Sequence, residues 1–315
     1  MEKIIATTTV YKKLLVFANT KFGCTFATIK TDRMKNSITH QILFLSLIFQ
    51  FSITNAQNKF DIPYGSNDSV GKYVDLNGAK IYYEEYGKGE PLLLIHGCGA
   101  DIKSMEYQID YFKNKYRVIV ADSRGQGKSE LKTDSLTYTQ ITKDWEGLVN
   151  YLKLDSINIL GWSDGGIIGL KMGISKKTKI KKIVAMGANL RPDTTAVNSW
   201  APENVRKNQA QVKKMIANGD TSQDWNLELQ LDGLLLNQPN ISHSDLKKIA
   251  APVLVMVGDR DIIKNEHAVE IFNNLPKGQL CIMPGINHGA PRNNPEIFNE
   301  IANRFFSVPF DYILK

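Results

Sequence analysis

Three polar side chains, far apart in the chain, form a set able to cleave an acyl bond: Ser163, a carboxylate at Asp259 or Asp261, and His288. A serine hydroxyl attacks a carbonyl only when a base takes its proton, and the base works best when a carboxylate fixes its tautomer. The oxyanion that forms needs two backbone N–H donors aimed at it. Ser163 is the centre of Gly161-Trp162-Ser163-Asp164-Gly165-Gly166. A Gly-x-Ser-x-Gly match alone is weak, because small residues gather in turns for steric reasons. The elements on either side must decide.

Those elements are a short unbroken apolar run at residues 157–160, which reads as a buried strand, and a helical pattern at 165–174. A strand that turns sharply into a helix holds its middle residue strained and exposed, and Gly161 and Gly165 relieve the clash with neighbouring backbone. Ser163 is therefore read as the nucleophile of an elbow. Seven further strands are expected at residues 72–76, 80–85, 91–95, 118–121, 183–186, 253–257 and 280–283, the first two joined by Asn77-Gly78 as a hairpin. Helical spacing recurs at 101–113, 139–152, 265–274 and 295–306. Strand–helix alternation of this length predicts a mostly parallel eight-stranded sheet with helices on both faces. One excursion breaks the rhythm, at residues 193–250, with helical stretches at 205–218 and 225–236. It is short for independent folding and reads as a small helical cap over the carboxyl ends of the strands. The core is expected in two parts, residues 72–192 and 251–315.

Of the five histidines, His40 lies in a segment expected to be removed, and His243 and His267 fall in helical stretches read as exposed. His96 precedes Gly97 at a strand end, where it shapes a turn. His288, after the last strand and before the terminal helix, is left as the base. Asp259 and Asp261, in Gly258-Asp259-Arg260-Asp261, both follow a strand and compete to be its carboxylate. One oxyanion donor is assigned to the N–H of Asp164 at the helix start, the other to the N–H of Cys98 in His96-Gly97-Cys98-Gly99. Trp162 and Asp164, which flank the nucleophile, are candidate substrate-binding residues. The stretch Asp122–Ser129 ends like a phosphate-binding loop but carries Asp122 where that motif needs glycine, so it reads as a structural turn in which Asp122 and Arg124 bond locally.

HGCG, DSRGQGKS, GWSDGG, GDRD and GINHGAP occur in one order and spacing that resembles the α/β-hydrolase superfamily over about residues 72–314. GWSDGG with MGAN and MPGINH is similar to valacyclovirase-like small-ester hydrolases. The resemblance implies chain order Ser163, Asp261, His288 for the triad, with the second carboxylate of GDRD reaching the histidine and Asp259 closing the turn. It implies hydrolysis of a small carboxylic ester or related acyl compound through an acyl-enzyme, without cofactor or metal. Dehalogenase members carry Asp at the nucleophile position, against Ser163 here. The same triad serves cofactor-free perhydrolysis and carbon–carbon bond hydrolysis, and a ligand-binding, non-catalytic protein of this fold is the reading from another class.

The formal net charge of +7 raises nucleic acid as a partner, but residues 1–56 hold seven Lys/Arg against Glu2 and Asp32. The remainder has 32 Lys/Arg against 30 Asp/Glu, a net of +2, which does not fit a nucleic-acid binder. Removal of that segment is expected because Met34-Lys35 leads into a short apolar core at 42–49 and a polar Thr54-Asn55-Ala56-Gln57, the plan of a signal peptide. Residues 1–33 read as an upstream extension, 34–56 as the signal, Ala56/Gln57 as the cut, and the mature chain as exported. The apolar core falls short of the roughly 20 residues that a stable membrane span needs. Cys98 and Cys281 remain after that cut and are expected as buried thiols rather than a disulfide, and no Cys-x-x-Cys or His-Glu-x-x-His suggests a metal. The expected partner is a small acyl substrate; nothing in the sequence fixes an oligomeric state.

Overall fold

Asn77 and Gly78 both adopt positive φ, 48° and 84°, and close the hairpin between β1 (Lys72–Leu76) and β2 (Ala79–Tyr86) in the computed structural model, which describes residues 60–310. The expected segments 1–33 and 34–56 lie outside the described residues. Six more strands follow: β3 (Glu90–Ile95), β4 (Tyr116–Ala121), β5 (Ile157–Trp162), β6 (Ile180–Met186), β7 (Val253–Arg260) and β8 (Gly278–Asn287). They form one eight-stranded sheet in the order β1-β2-β4-β3-β5-β6-β7-β8. β2 runs antiparallel to β1 and β4; every other pairing is parallel.

The central strands carry no polar face because helices cover both sides. Leu93 and Ile95 point to one side, where they pack with Ile119, Ile159, Trp145 and Ile167; Leu92 and Leu94 point to the other, against Val118, Phe112, Phe298 and Phe305. Each of the four β3 side chains is fully buried, a contribution of about 1.5–3 kcal/mol apiece. The helices are α1 (Glu106–Phe112), α2 (Tyr138–Tyr151), α3 (Asp164–Ser175), α4 (Trp200–Ala217), α5 (Trp225–Asn237), the short α6 (His243–Leu246), α7 (Asn265–Asn273), the short α8 (Ala290–Asn293) and α9 (Pro295–Ser307). The single helix expected at 101–113 is divided: Asp101 accepts from the Ser104 N–H and starts a 3-10 turn, Ile102–Met105, before α1 begins. Among the described residues no helix is long and apolar enough to cross a membrane.

The Asp122–Ser129 turn departs from expectation at Arg124. Asp122 accepts the Lys128 N–H within its own turn and the Ile102 N–H, 20 residues earlier in the chain, at 2.8 Å each, so only part of its bonding is local. Arg124 is buried and makes a bidentate bond to Asp144 of α2 (2.7 and 2.8 Å), with further bonds to the carbonyls of Leu76 and Leu131. It ties hairpin to helix, a long-range role that no local pattern announces.

Between β6 and β7 the chain leaves the sheet through residues 187–199, forms α4 and α5, and returns through 238–252. Both connections converge on Glu270 of α7. Arg191 makes a bidentate pair with it (2.7 and 2.8 Å), and His243 at the start of α6 reaches it at 2.6 Å. His267, expected on an exposed helix face, is instead buried. Its Nδ1–H donates to Glu270 Oε2 (2.9 Å) and its Nε2 accepts from the Leu190 N–H (2.9 Å). Burial holds the His267 imidazole below its ordinary pKa, and the Arg191 guanidinium holds the Glu270 carboxyl well below the usual carboxylate range.

Candidate active site

β5 ends at Trp162, α3 begins at Asp164, and Ser163 between them has φ 57° and ψ −117°, a conformation that suits glycine better than serine. The strain is held by neighbours. The Ser163 N–H donates to Met186 O of β6 (2.7 Å). A Cβ on Gly161 would lie 2.1 Å from Gly165 O, and one on Gly165 would lie 2.0 Å from Ile95 O. Both glycines are therefore required by backbone approach, and the turn cannot be relaxed without moving β3 or α3.

Three side chains meet at this elbow. The Ser163 hydroxyl lies 2.9 Å from His288 Nε2, and His288 Nδ1–H donates to Asp261 Oδ1 at 2.6 Å. The same Oδ1 accepts the Ile263 N–H (3.0 Å), while Asn198 Nδ2 donates to the Asp261 carbonyl (2.9 Å). Asp261 is buried, whereas Asp259 is exposed and accepts the Gly285 N–H of β8 at 2.7 Å, where the register between β7 and β8 shifts. Gly187 makes room for the imidazole: a Cβ there would stand 2.7 Å from His288 Cε1, and the residue has φ +62°. The sequence reading gave this glycine no role.

Trp162 sits elsewhere than expected. Its side chain packs with the cluster that contains Leu160, two residues back on the same face of β5, and is not among those lining the cavity beside Ser163. Its indole N–H donates to the His288 carbonyl (2.7 Å), so it holds the backbone of the imidazole-bearing loop.

Asp164, first residue of α3, has no intrahelical acceptor for its N–H. On the other side, the backbone at Gly97 comes so close that a Cβ would lie 3.1 Å from Ser163 Cβ. His96 fixes the Gly97–Cys98 peptide: its Nδ1–H donates to Gly97 O (2.7 Å), and its Nε2 accepts the Ser123 N–H (2.9 Å). Because C=O and N–H of a trans peptide point in opposite directions, anchoring the carbonyl also aims the Cys98 N–H. Gly99 N–H is tied in turn to Gln126 Oε1 (2.6 Å). With both ring nitrogens engaged and burial lowering its pKa, His96 has no site left for catalytic proton transfer.

A cavity of about 90 Å³ opens beside Ser163. Its walls are largely apolar, with Pro202 and Val205 from α4, Leu235 from α5, Val197 from the outgoing connection, and Ile262 and Ile263 from the loop after β7. Asp164 is the carboxylate among them, only 3% exposed. Tyr138 Oη–H donates to its Oδ1 (2.7 Å); its Oδ2 is buried without a hydrogen-bond partner among the described residues. Burial pushes this carboxyl up to about 6, against the opposing pull of Tyr138, Cys98 and His288. Cys98 and Cys281 are free thiols, both half-buried. No group of acidic, histidine or cysteine side chains that could hold a metal ion occurs among the described residues.

Residues 90–230 match the family described as alpha/beta hydrolase fold. The human serine hydrolase BPHL is 27% identical over 262 residues, covering 77% of this chain and 88% of that protein. The 2-hydroxy-6-oxo-6-(2'-aminophenyl)hexa-2,4-dienoic acid hydrolase of Metapseudomonas resinovorans is 24% identical over 271 residues, covering 76% and 91%. Among solved structures, an esterase from Exiguobacterium antarcticum superposes with a TM-score of 0.64 at 23% identity, covering 76% of this chain and all of that one.

Proposed function

We propose that this chain, which belongs to the α/β-hydrolase superfamily and is a hydrolase, is a serine hydrolase of small carboxylic esters that favours an acyl group bearing a positive charge. The observation that carries the first half is His288, bonded at once to Ser163 Oγ and Asp261 Oδ1. In this reading Ser163 Oγ attacks the ester carbonyl while His288 Nε2 takes its proton; the oxyanion is received by the N–H groups of Cys98 and Asp164. His288 then returns the proton to the leaving alcohol, leaving an acyl-Ser163. Water, deprotonated by the same imidazole, releases the acid, and Asp261 stabilises the imidazolium in both halves. A fluorophosphonate probe is expected to label Ser163 alone, read by mass spectrometry of the digested protein; an unmodified Ser163 in folded protein would rule the mechanism out.

The second half is supported by a buried carboxylate whose Oδ2 has no hydrogen-bond partner among the described residues, in a cavity that is largely apolar and holds no other charged side chain, a setting that favours a cation such as the ammonium of an amino-acid ester. Asp164→Asn keeps the backbone donor and removes the charge. It is expected to lower kcat/KM for an amino-acyl ester roughly tenfold to a hundredfold, as loss of a charged hydrogen bond of about 1.5–3 kcal/mol implies, and to change a neutral ester of equal size little. Equal losses on the two substrates would leave Asp164 a helix-terminus role only.

Carbon–carbon bond hydrolysis is the competing reaction, on the strength of the Metapseudomonas relative. The cavity of about 90 Å³ favours a compact acyl group over the aminophenyl hexadienoic acid in that relative's name. For location, the composition of residues 34–57 supports export with cleavage at Ala56/Gln57. The N-terminal residue of the native protein tests this: a mature chain that retains residues upstream of Ile42 rejects it.

A further inference from the structure

The Tyr138 side chain is fully enclosed, and its hydroxyl must place one proton. That proton has a close acceptor in Asp164 Oδ1 at 2.7 Å. A neutral Asp164 protonated on Oδ2 could still accept the phenol proton at Oδ1, but a hydrogen bond to an ionised carboxylate is stronger than one to a neutral carboxyl. The hydrogen bond therefore favours the carboxylate. Tyr138 itself is locked in place: it opens α2 behind the N-cap Thr137, its own N–H donates to Gln238 Oε1 (3.2 Å), and both residues border the Ser163 cavity.

We infer that Tyr138 is a specificity-determining residue, whose phenol O–H keeps the buried Asp164 carboxyl ionised and so gives the acyl cavity its negative charge. The inference rests on the reading that this cavity receives a cation. Groups facing the carboxyl come from four directions: Tyr138 from α2, the Cys98 thiol from the loop after β3, His288 from the loop after β8, and Ser163 from the elbow. Asp232 and Glu228 of α5 act on the Cys98 thiol, which burial and the Asp164 charge keep protonated. The other polar walls, Asn189 and Gln238, are uncharged amides. Burial opposes ionisation, and Tyr138 is the first of the groups that oppose burial.

Tyr138→Phe removes the proton donor and keeps the ring. The carboxyl of Asp164, followed by ¹³C NMR and identified by its loss in Asp164→Asn, is expected to titrate at a pH about one unit higher in the variant, the effect of losing one hydrogen bond to a charged group. The ratio of variant to wild-type kcat/KM for an alanine ester is expected to fall about fivefold at pH 6 and to recover by pH 8, following the ionised fraction of Asp164. The same ratio for a neutral ester should stay flat across that range, and a purely structural role would lower both ratios at every pH. An Asp164 titration unchanged in Tyr138→Phe overturns the inference, whatever the substrate preference proves to be. A wild type indifferent to substrate charge instead rejects the cation reading, and the NMR titration still decides for Tyr138. If Tyr138→Phe does not fold, Cys98→Ala supplies the second variant: a smaller rise is expected, and none at all counts against a carboxyl held ionised by its neighbours.

Discussion

Ser163→Ala is expected to lower kcat by about 10⁶, the loss seen when the nucleophile of a serine triad is removed, while leaving the fold intact. The imidazole and the backbone donors remain, so a residual rate above that of water is expected rather than none. The same residue should show an exchange of stability for chemistry. With φ 57° and ψ −117°, Ser163 holds a conformation in which glycine is favoured. Ser163→Gly is therefore expected to be as inactive as the alanine variant yet more stable by about 1–2 kcal/mol, visible as a higher midpoint in thermal melting. Turnover within tenfold of wild type in either variant would assign the chemistry to another residue.

Asp261→Asn should lower kcat by about 10⁴, as in the serine-protease precedent. Asp261 Oδ1 accepts from both His288 Nδ1–H and the Ile263 N–H. An asparagine that keeps its oxygen on Ile263 turns no acceptor of equal strength toward the ring, and one that turns its NH₂ toward Nδ1 forces the proton onto Nε2. Nε2 then has no lone pair for the Ser163 proton. Asp259→Asn should leave kcat nearly unchanged, because Asp259 holds only the exposed Gly285 N–H; its cost is expected in stability, about 0.5–1.5 kcal/mol. A larger loss of kcat at Asp259 than at Asp261 would reverse the two assignments.

The elbow was legible because three local signals coincide there, a buried strand, glycines two residues either side of the serine, and a helix, and each follows from backbone contacts the glycines alone permit. His288 could be reached by eliminating the other histidines, though the elimination misjudged His267, which is buried and accepts the N–H of Leu190, 77 residues away. The i, i+3 spacing of His267 and Glu270 was the available signal. Trp162 was legible in principle: period two on β5 sends it to the face of Leu160, away from the cavity, and only its nearness in sequence to Ser163 suggested otherwise. Tyr138 was not legible. Its contact with Asp164 joins the first turns of two different helices, and no local pattern encodes which helix start meets which. Arg124, expected to bond locally, does so only through Leu131, and its bonds to the hairpin and α2 were not legible for the same reason.

Glu270 gives the excursion between β6 and β7 a fixed pair of feet. Arg191 on the outgoing connection and His243 on the returning one are held by a single carboxylate that belongs to the core. The segment between them, α4 and α5, supplies Val205 and Leu235 to the cavity beside Ser163 but none of the side chains that bond to His288. The excursion is thereby a cassette: its inner surface can be rewritten by mutation, or exchanged for another helical pair, with the anchoring residues kept and the Ser163, Asp261 and His288 side chains left at rest. Divergence of substrate range can then proceed in one part of the gene while selection holds the other part still.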